Sequence, residues 1–411
     1  MTQTLVEIFW FLLVLMLSLY LSYFASMYIL SRRRLKFIRK GSYPSVSLII
    51  PTYNESKVIL GKLNNVLELE YPKDKLEVVV VDSASEDGTG SIVQSFLNDH
   101  TNGPKMHLVS LKQRLGKASA LNSIWHSCNG EIVAISDADC LLDRKAMSEL
   151  VKPFGDDRIG VVTGSHVIVN TGESAAKELE QSYRSIFNVL RLGESYLDST
   201  PIVNGQLCAY RRDCIENLST DSVCDDIELA LRIRRKGYRI IYEPSAIFFE
   251  FTPRKFSARF AQKTRRAQGI VQQLLRFSNM LFNRTYGIFA FLILPFEFFF
   301  HIVSPLMLIA LLILFVLSIS EAFFVITISM MLLIFLGITG AFSLLRYLNA
   351  SKVNLISIAL TFFESQAYLF LGLLPLLAGR TSHKWKIIDE VRDQNTQSNI
   401  GPIPECESKN R

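Results

Sequence analysis

Long apolar runs mark both ends of the chain, and shorter alternating patterns fill its middle. The first run, residues 5–29, contains a single charge, Glu7, and at about 1.5 Å of rise per residue it is long enough to cross a bilayer core. The second run, residues 286–377, is too long for one helix. Residues 45–284 instead alternate short β-branched runs with helix-length segments. The pattern predicts an α/β domain between membrane segments.

The basic residues beside the first run predict its orientation. A cleaved signal peptide carries its positive charge before the apolar stretch. Here the charges follow the run, which places the N-terminus outside and everything from Arg32 onward in the cytoplasm by the positive-inside rule. We therefore expect a multi-pass plasma-membrane protein with a cytoplasmic domain. The basic cluster comprises Arg32, Arg33, Arg34, Lys36, Arg39 and Lys40.

The C-terminal apolar region leaves the number of crossings open. Pro295, Glu297 and His301 interrupt residues 288–302, so we expect this segment to lie in the membrane interface. Three further crossings would leave the tail outside, whereas the basic residues in 380–386 favour the cytoplasm and would require a fourth crossing. Glu297 and His301 either reach head-group depth or line a substrate path. The three expected crossings lie near residues 305–318, 323–344 and 355–377.

Carboxylates and small polar residues follow three of the predicted strands. Ligands of open α/β sheets bind at the carboxyl ends of the strands, so residues 51–55, 82–89 and 137–139 would meet at one edge. One such segment alone could be a helix cap or a turn. Three with the same character predict a binding site. The predicted parallel strands are residues 46–50, 76–81, 107–110 and 131–136.

Two carboxylates one residue apart, Asp137 and Asp139, follow the fourth strand directly. Their oxygens suit one hard divalent cation, Mg²⁺ or Mn²⁺, which keeps several waters and binds substrate phosphates. A diphosphate is the natural third partner. The motif is too short to be specific alone, and its place at a strand end gives it weight.

A second acidic pair, Asp225 and Asp226, stands where an amphipathic helix should begin. Helix capping needs only one carboxylate. Transfer of a group to a hydroxyl needs a base, and we assign that role to Asp226, with Asp225 orienting or capping. Further on, Arg265 and Arg266 either face lipid head groups or reach the diphosphate, which guanidinium groups match well.

Charge and cysteine content narrow the alternatives. The formal charge of +6 arises from basic residues clustered beside the apolar runs, which membrane topology explains without nucleic acid. The six cysteines show no CxxC pair and no zinc-finger spacing, so reduced, buried thiols are expected. A nucleotidyltransferase would carry a glycine-rich, basic loop after its first strand, and residues 51–55 are not one.

The ordered motifs resemble the membrane-bound family 2 glycosyltransferases, which include cellulose, chitin, hyaluronan and poly-N-acetylglucosamine synthases. The resemblance covers residues 45–269. It implies a GT-A fold, that is a Rossmann-like nucleotide-diphospho-sugar transferase domain, beside a helical transmembrane region. It also implies a nucleotide-diphosphate sugar donor such as a UDP-sugar, a divalent metal and inversion at the anomeric carbon. The motifs are residues 51–55, 80–89, 114–122, 137–139, 225–226 and 262–266.

The resemblance also implies a role for each matching residue. Asp82 would contact the nucleoside and Lys117 the base or diphosphate. Asp226 would be the base, with Arg265 and Arg266 at the donor diphosphate. Gln262 and the pair Asn204-Gly205 would lie on the acceptor side. The remaining residues are Thr52, Tyr53 and Glu55, which would line the nucleoside pocket, and Asp137 and Asp139, which would hold the metal and the donor.

One departure from the family leaves the acceptor open. Processive synthases carry Gln-x-x-Arg-Trp, but here Arg266 follows Arg265 where the tryptophan would stack on the acceptor sugar. The membrane region is also small for a secretion channel. A polysaccharide synthase, with accessory membrane subunits as candidate partners, and an enzyme that adds one sugar to a polyprenyl phosphate or glycolipid both fit. A non-catalytic membrane sensor of nucleotide sugars is the third alternative.

These expectations divide the chain into five parts. An anchor (residues 1–31) precedes a cytoplasmic transferase domain (45–250), and an amphipathic or interfacial segment with the Gln-x-x-Arg motif (251–303) leads to the C-terminal transmembrane helices (304–379) and a polar tail (380–411). The expected partners are the nucleotide sugar, a glycan or lipid-linked acceptor and the bilayer.

Overall fold

A computed structural model describes residues 2–33, 43–100, 103–114, 116–169, 175–251, 253, 255–317, 355–379 and 392. Among these residues, eight strands form one mixed sheet in the order β3-β2-β1-β4-β7-β6-β8-β5. The strands are β1 Val46–Thr52, β2 Leu76–Asp82, β3 Lys105–Ser110, β4 Ile132–Ser136, β5 Leu141–Leu142, β6 Ile159–Ile168, β7 Leu207–Arg211 and β8 Arg239–Glu250.

The four predicted strands form the parallel half of the sheet. β1 lies between β2 and β4, and β3 lies outside β2, all parallel. The sheet then continues through β7, which is antiparallel to both β4 and β6. β8 runs parallel to β6, and β5 closes the edge antiparallel to β8. The predicted edge therefore exists, and the antiparallel β7 extends it beyond β4.

The helices cover both faces of the sheet and continue into apolar segments. The sheet-covering helices begin after the strand-end loops, as expected for α/β folds. All α-helices of the described residues, including the apolar ones, are α1 Thr2–Ser31, α2 Ile59–Leu67, α3 Thr89–Asp99, α4 Lys117–Asn122, α5 Ala146–Val151, α6 Ala175–Leu197, α7 Asp225–Arg235, α8 Phe256–Arg276, α9 Leu294–Phe298, α10 Ser304–Leu317 and α11 Leu355–Leu377.

Two hydrophobic cores lie on opposite faces of the sheet. Ile49 packs in one core, whereas its neighbours Leu48 and Ile50 pack in the other. Successive side chains of a strand point to opposite faces, so a strand buried on both sides is mostly apolar. All seven residues of β1 are buried, which explains why this strand reads as a continuous run.

Two helical stretches among the described residues are long and apolar enough to cross a membrane, judged by length and composition: Gln3–Ser31 and Phe289–Leu317. The second joins α9 and α10 through π-helical turns at Phe289–Ile293 and Phe299–Val303. It is continuous through the segment that we expected to be a separate interfacial helix. The predicted crossing at 323–344 lies outside the described residues, and the domain boundaries stay predictions.

The N-terminal helix α1 packs against α6 of the sheet domain and against α10. Gly193 of α6 allows α1 and α6 to approach closely, because a Cβ there would lie 2.5 Å from the backbone oxygen of Met27. The Tyr23 hydroxyl donates to Glu194 at 2.9 Å. Elsewhere α1 exposes large apolar side chains such as Phe11. α1 is thus packed against other described helices along part of its surface, and the rest of its apolar surface is exposed.

A buried ionic cluster joins the sheet domain to the second apolar stretch. Arg191 of α6 donates to Glu194 at 2.8 Å and to Glu297 of α9 at 2.6 Å, and all three side chains are nearly inaccessible. His301 lies 3.0 Å from the same Glu297 carboxylate. Glu297 therefore serves as an internal contact of α9 with the domain.

Candidate active site

The loops after β1 and β2 are tied together at the predicted edge. Asn54 adopts a left-handed backbone with φ of 52°, and its side-chain oxygen accepts from the backbone N–H of Glu86 at 2.8 Å. In return, the backbone N–H of Asn54 donates to the Ser85 hydroxyl at 2.9 Å. Asp87 accepts from the backbone N–H of Ser56 at 2.9 Å. These bonds make one preformed platform from two strand-end loops.

The predicted nucleoside-side residues lie on this platform. The Thr52 hydroxyl donates to the Val81 carbonyl at 3.1 Å, so it holds the two strands together. Asp82 is buried and accepts from the backbone N–H and the hydroxyl of Ser85. The Tyr53 ring lies 3.8 Å below the guanidinium of Arg114. Tyr53 and Arg114 thus provide an aromatic and a cationic surface at the edge of the platform.

A buried lysine supports the turn that carries the acidic motif. Lys62 of α2 is inaccessible, and its ammonium donates to the Ser136 hydroxyl at 2.7 Å and the Cys140 carbonyl at 2.8 Å. Because these acceptors flank Asp137 and Asp139, Lys62 holds the turn in place from the side of α2. Sequence reasoning missed Lys62, because a lysine inside an amphipathic helix is normally a surface residue.

Lys117 connects the two acidic pairs. Its ammonium donates to Asp137 at 2.8 Å and lies 3.6 Å from Asp225. Burial alone would lower the pKa of Lys117, but the charges of Asp137 and Asp225 outweigh it and hold the pKa above its ordinary value. The lysine therefore remains charged, and both predicted acidic pairs lie at one site.

Asp226 lies beside Gly205 at the start of α7. A Cβ on Gly205 would lie 2.7 Å from Asp226 Oδ2, so a larger residue there would force the carboxylate to shift. Burial and the neighbouring Asp225 raise the pKa of Asp226 to about 6, while Lys117 and Arg266 oppose the shift. A carboxylate with a raised pKa is a better proton acceptor at neutral pH than an ordinary one.

The basic segment on α8 faces the same site. The Arg266 guanidinium donates to the side-chain oxygen of Asn204 at 3.3 Å. Asn204 itself is buried, and its amide donates to the Gly164 carbonyl at 2.8 Å, so it positions Arg266 from behind. Arg265 and Gln262 line the cavity in front of Asp226.

One cavity of about 430 Å³ joins these groups and continues toward the apolar helices. Phe300, His301, Tyr368 and Leu369 line its far end. Five predicted residues lie outside its lining, namely Thr52, Tyr53, Glu55, Asp82 and Asn204. The predicted residues that line it are Lys117, Asp137, Asp139, Gly205, Asp226, Gln262, Arg265 and Arg266.

Two further titratable residues in the cavity were not predicted from the sequence. Glu250 ends β8, and burial together with the charge of Asp139 raises its pKa to about 8. His166 Nε2 lies 3.2 Å from Glu250 Oε2, and burial holds the pKa of His166 well below its usual value. The contact therefore joins two neutral groups at neutral pH. The sequence offered one signal for this site, because Glu250 is a charged residue within an aromatic run.

Arg392 is the fourth residue that sequence reasoning missed. Its Nε and Nη2 donate to the two oxygens of Glu55 at 3.0 and 2.6 Å, and Nη2 lies 3.3 Å from Asp139 Oδ2. Burial raises the pKa of Glu55 to about 7 against the opposing effect of Arg392. Burial also raises the pKa of Asp139. The acidic motif thus holds a cation supplied by the chain.

The acidic motif fits a hard divalent cation. Among the described residues, no three His, Cys, Asp or Glu side chains form a complete metal cluster, so protein ligands alone would not saturate an ion here. The carboxylates of Asp137 and Asp139 would leave positions for water and phosphate oxygens, as Mg²⁺ prefers. The guanidinium against Asp139 shows that this position accepts positive charge.

Comparison with known proteins defines the class. Residues 47–219 match the family described as Glycosyl transferase family 2. A probable glycosyltransferase of Bacillus subtilis, YdaM, is 30% identical over 270 residues, covering 63% of this chain and 64% of that protein. A poly-beta-1,6-N-acetyl-D-glucosamine synthase of Staphylococcus epidermidis is 28% identical over 235 residues, covering 56% of each. The chain thus spans less than two thirds of these relatives.

A solved structure matches over nearly its whole length. It is the mannosyltransferase PcManGT from Pyrobaculum calidifontis in complex with GDP-Man and Mn²⁺, with a TM-score of 0.73 and 30% identity, covering 91% of this chain and 99% of that one. Fold and relatives together define a glycosyltransferase enzyme with the GT-A fold. The chain belongs to glycosyltransferase family 2. This confirms the predicted fold, family and enzyme class, and the non-catalytic alternative is wrong.

Proposed function

We propose that this enzyme moves a sugar from a nucleotide-diphosphate sugar to a hydroxyl group of a glycan or lipid-linked acceptor at the cytoplasmic face of a membrane, with inversion. The observation that supports it most is the single cavity that joins Asp137 and Asp139 to Asp226. Mg²⁺ or Mn²⁺ at the aspartates would stabilise charge on the departing diphosphate. The similar mannosyltransferase structure is a complex with GDP-Man and Mn²⁺, which supports a nucleotide-sugar donor and a divalent metal here.

The protein side chains would divide the work. Asp226 would take the proton from the acceptor hydroxyl, which its raised pKa favours. Lys117 would keep Asp137 and the helix that carries Asp226 at a fixed separation. Arg265 and Arg266 would offset charge on the diphosphate, since planar guanidinium groups match phosphate oxygens. The platform that bears Thr52, Tyr53, Glu55 and Asp82 would hold the nucleoside.

The continuous cavity favours a second, narrower candidate: addition of one sugar to a polyprenyl phosphate or glycolipid. Its far end reaches Phe300, Tyr368 and Leu369 on the apolar helices, so an acceptor could enter from the bilayer. No tryptophan follows Arg265 to stack on a growing glycan. The similarity to a poly-N-acetylglucosamine synthase supports the polymer alternative.

One experiment tests the reaction and separates the two acceptor classes. Membranes that contain the full chain would be incubated with Mn²⁺ and a panel of labelled UDP- and GDP-sugars. We expect release of nucleoside diphosphate from one donor, and the labelled product is either a lipid with one sugar or a long polymer. Absence of metal-dependent release across the panel would refute the proposal.

Asp226→Asn provides the test of the base. We expect turnover to fall about 10²- to 10⁴-fold, the usual contribution of a general base, while donor binding remains. Asp99→Asn is the matched control, because Asp99 is an exposed aspartate at the end of α3. Full turnover in Asp226→Asn would exclude Asp226 as the base.

A further inference from the structure

Arg392 belongs to the polar C-terminal tail, and it is the one residue of 380–411 that the structure describes. It does not lie on the surface: its side chain is 3% exposed, and it contacts the inaccessible Glu55 carboxylate with two parallel hydrogen bonds. The same guanidinium lies 3.3 Å from Asp139. A tail residue is therefore buried at the acidic motif of the active site.

Two cations of the chain already contact the carboxylates around the motif. Lys117 lies 2.8 Å from Asp137, and Arg392 contacts both Glu55 and Asp139. A metal ion that binds Asp139 Oδ2 would compete with the guanidinium, because Nη2 of Arg392 lies 3.3 Å from that oxygen. Arginine does not lose its proton in a protein, so the guanidinium keeps its positive charge at neutral pH.

We propose that Arg392 occupies the divalent-cation position in the donor-free enzyme and that metal and donor must displace it. The tail thereby acts as an internal competitor of the metal. This inference rests on the proposed function in one respect, the assignment of Asp139 as a metal ligand.

Covalent attachment explains how a monovalent group can compete with a divalent ion. A tethered group is present at an effective concentration that reaches the millimolar range. Its bidentate geometry with Glu55 is the arrangement in which guanidinium binds carboxylate best. The divalent ion displaces Arg392 when it binds together with a diphosphate, because the phosphate oxygens supply the ion with additional ligands. The competitor would therefore suppress metal binding without donor and permit it with donor.

The test is a Mn²⁺ titration of the purified full chain in detergent without donor, with free Mn²⁺ followed by its electron paramagnetic resonance signal. Charge-assisted hydrogen bonds of this kind contribute enough to predict a tightening on the order of tenfold in Arg392→Ala. Arg392→Lys keeps the charge but loses the fork geometry, so we expect a smaller gain. Lys386→Ala removes another cation of the tail and is the control, with unchanged binding expected.

The outcomes are distinguishable. Equal Mn²⁺ affinity in the wild type and Arg392→Ala, with Mn²⁺ bound in both, overturns the inference and leaves the proposed function intact. Weaker donor binding with unchanged Mn²⁺ affinity also overturns it, because Arg392 would then hold the donor. No Mn²⁺ binding by either chain, even with donor, refutes the proposed metal site as well. A lower Mg²⁺ concentration for half-maximal turnover in Arg392→Ala supports the inference independently.

Discussion

Gly205 offers the sharpest test of the geometry around Asp226. A Cβ at position 205 would lie 2.7 Å from Asp226 Oδ2 and 3.0 Å from its Cγ. Gly205 is not among the described glycines with positive φ, so alanine would introduce no backbone strain. Gly205→Ala therefore acts on Asp226 through contact alone.

The size of the effect follows from the contact distance. Ordinary contact with a Cβ begins at 3.4 Å, so the Asp226 carboxylate would have to move by roughly 0.7 Å. A displacement of about 1 Å at a reacting group can cost on the order of 10²-fold in rate. We expect kcat for Gly205→Ala to fall between about 10- and 100-fold, while the affinity for donor and metal changes little.

The assay measures kcat by nucleoside-diphosphate release and donor affinity by equilibrium titration on the same preparation. Gly61→Ala is the matched control, because Gly61 lies in α2 and a Cβ there meets nothing within 4 Å. Wild-type kcat in Gly205→Ala would refute the contact. A loss of donor affinity that accounts for the whole effect would refute the assignment of Asp226 to the acceptor side of the reaction.

Three further predictions concern residues that neighbour Asp226, support the acidic turn or join the domain to α9. Asp225→Asn removes a charge that helps to raise the pKa of Asp226 to about 6. Because activity falls as Asp226 takes up a proton at low pH, the acid limb of the kcat/KM profile should move to lower pH. An unmoved acid limb would contradict this. Lys62→Met leaves the Cys140 carbonyl without its buried donor, so denaturant unfolding should show a loss of about 1–3 kcal/mol, whereas unchanged stability would contradict that support. Arg191→Met leaves the buried carboxylates of Glu194 and Glu297 without their guanidinium partner. The free energy of unfolding should fall by about 3–5 kcal/mol, with a lower Tm in detergent. An unchanged Tm would argue against the cluster.

The parallel half of the sheet could be predicted because its signals are local. β1, β2 and β4 are buried apolar runs that end in polar turns, and the structure has them within two residues of the predicted bounds. The sequence pattern after the third strand predicts a helix over residues 116–128, but α4 ends at Asn122. The Asn122 side chain bonds both backbone groups of Leu218 across the fold. Such tertiary bonds are not visible in a local pattern.

The rest of the site depends on contacts between residues far apart in the chain. Arg392 reaches Glu55 from the tail, and nothing in its neighbourhood distinguishes it from other polar residues of that segment. His166 and Glu250 meet because β6 pairs with β8, where His166 lies opposite Phe248, two residues before Glu250. The acidic residues were predictable since a strand end is a local feature with known geometry. Their partners were not, because the pairing of β6 with β8 and the position of Arg392 arise only on folding.

The close contact between Gly193 and Met27, with the Tyr23 hydrogen bond beside it, has a consequence for acceptor choice. If α1 crosses the bilayer, a domain fastened to it this way cannot swing freely, so Asp226 stays at one height above the lipid. A hydroxyl on a head group that is too short or too long would miss the carboxylate whatever its chemistry. The fixed height of Asp226 above the bilayer would then select acceptors by the length of their head groups.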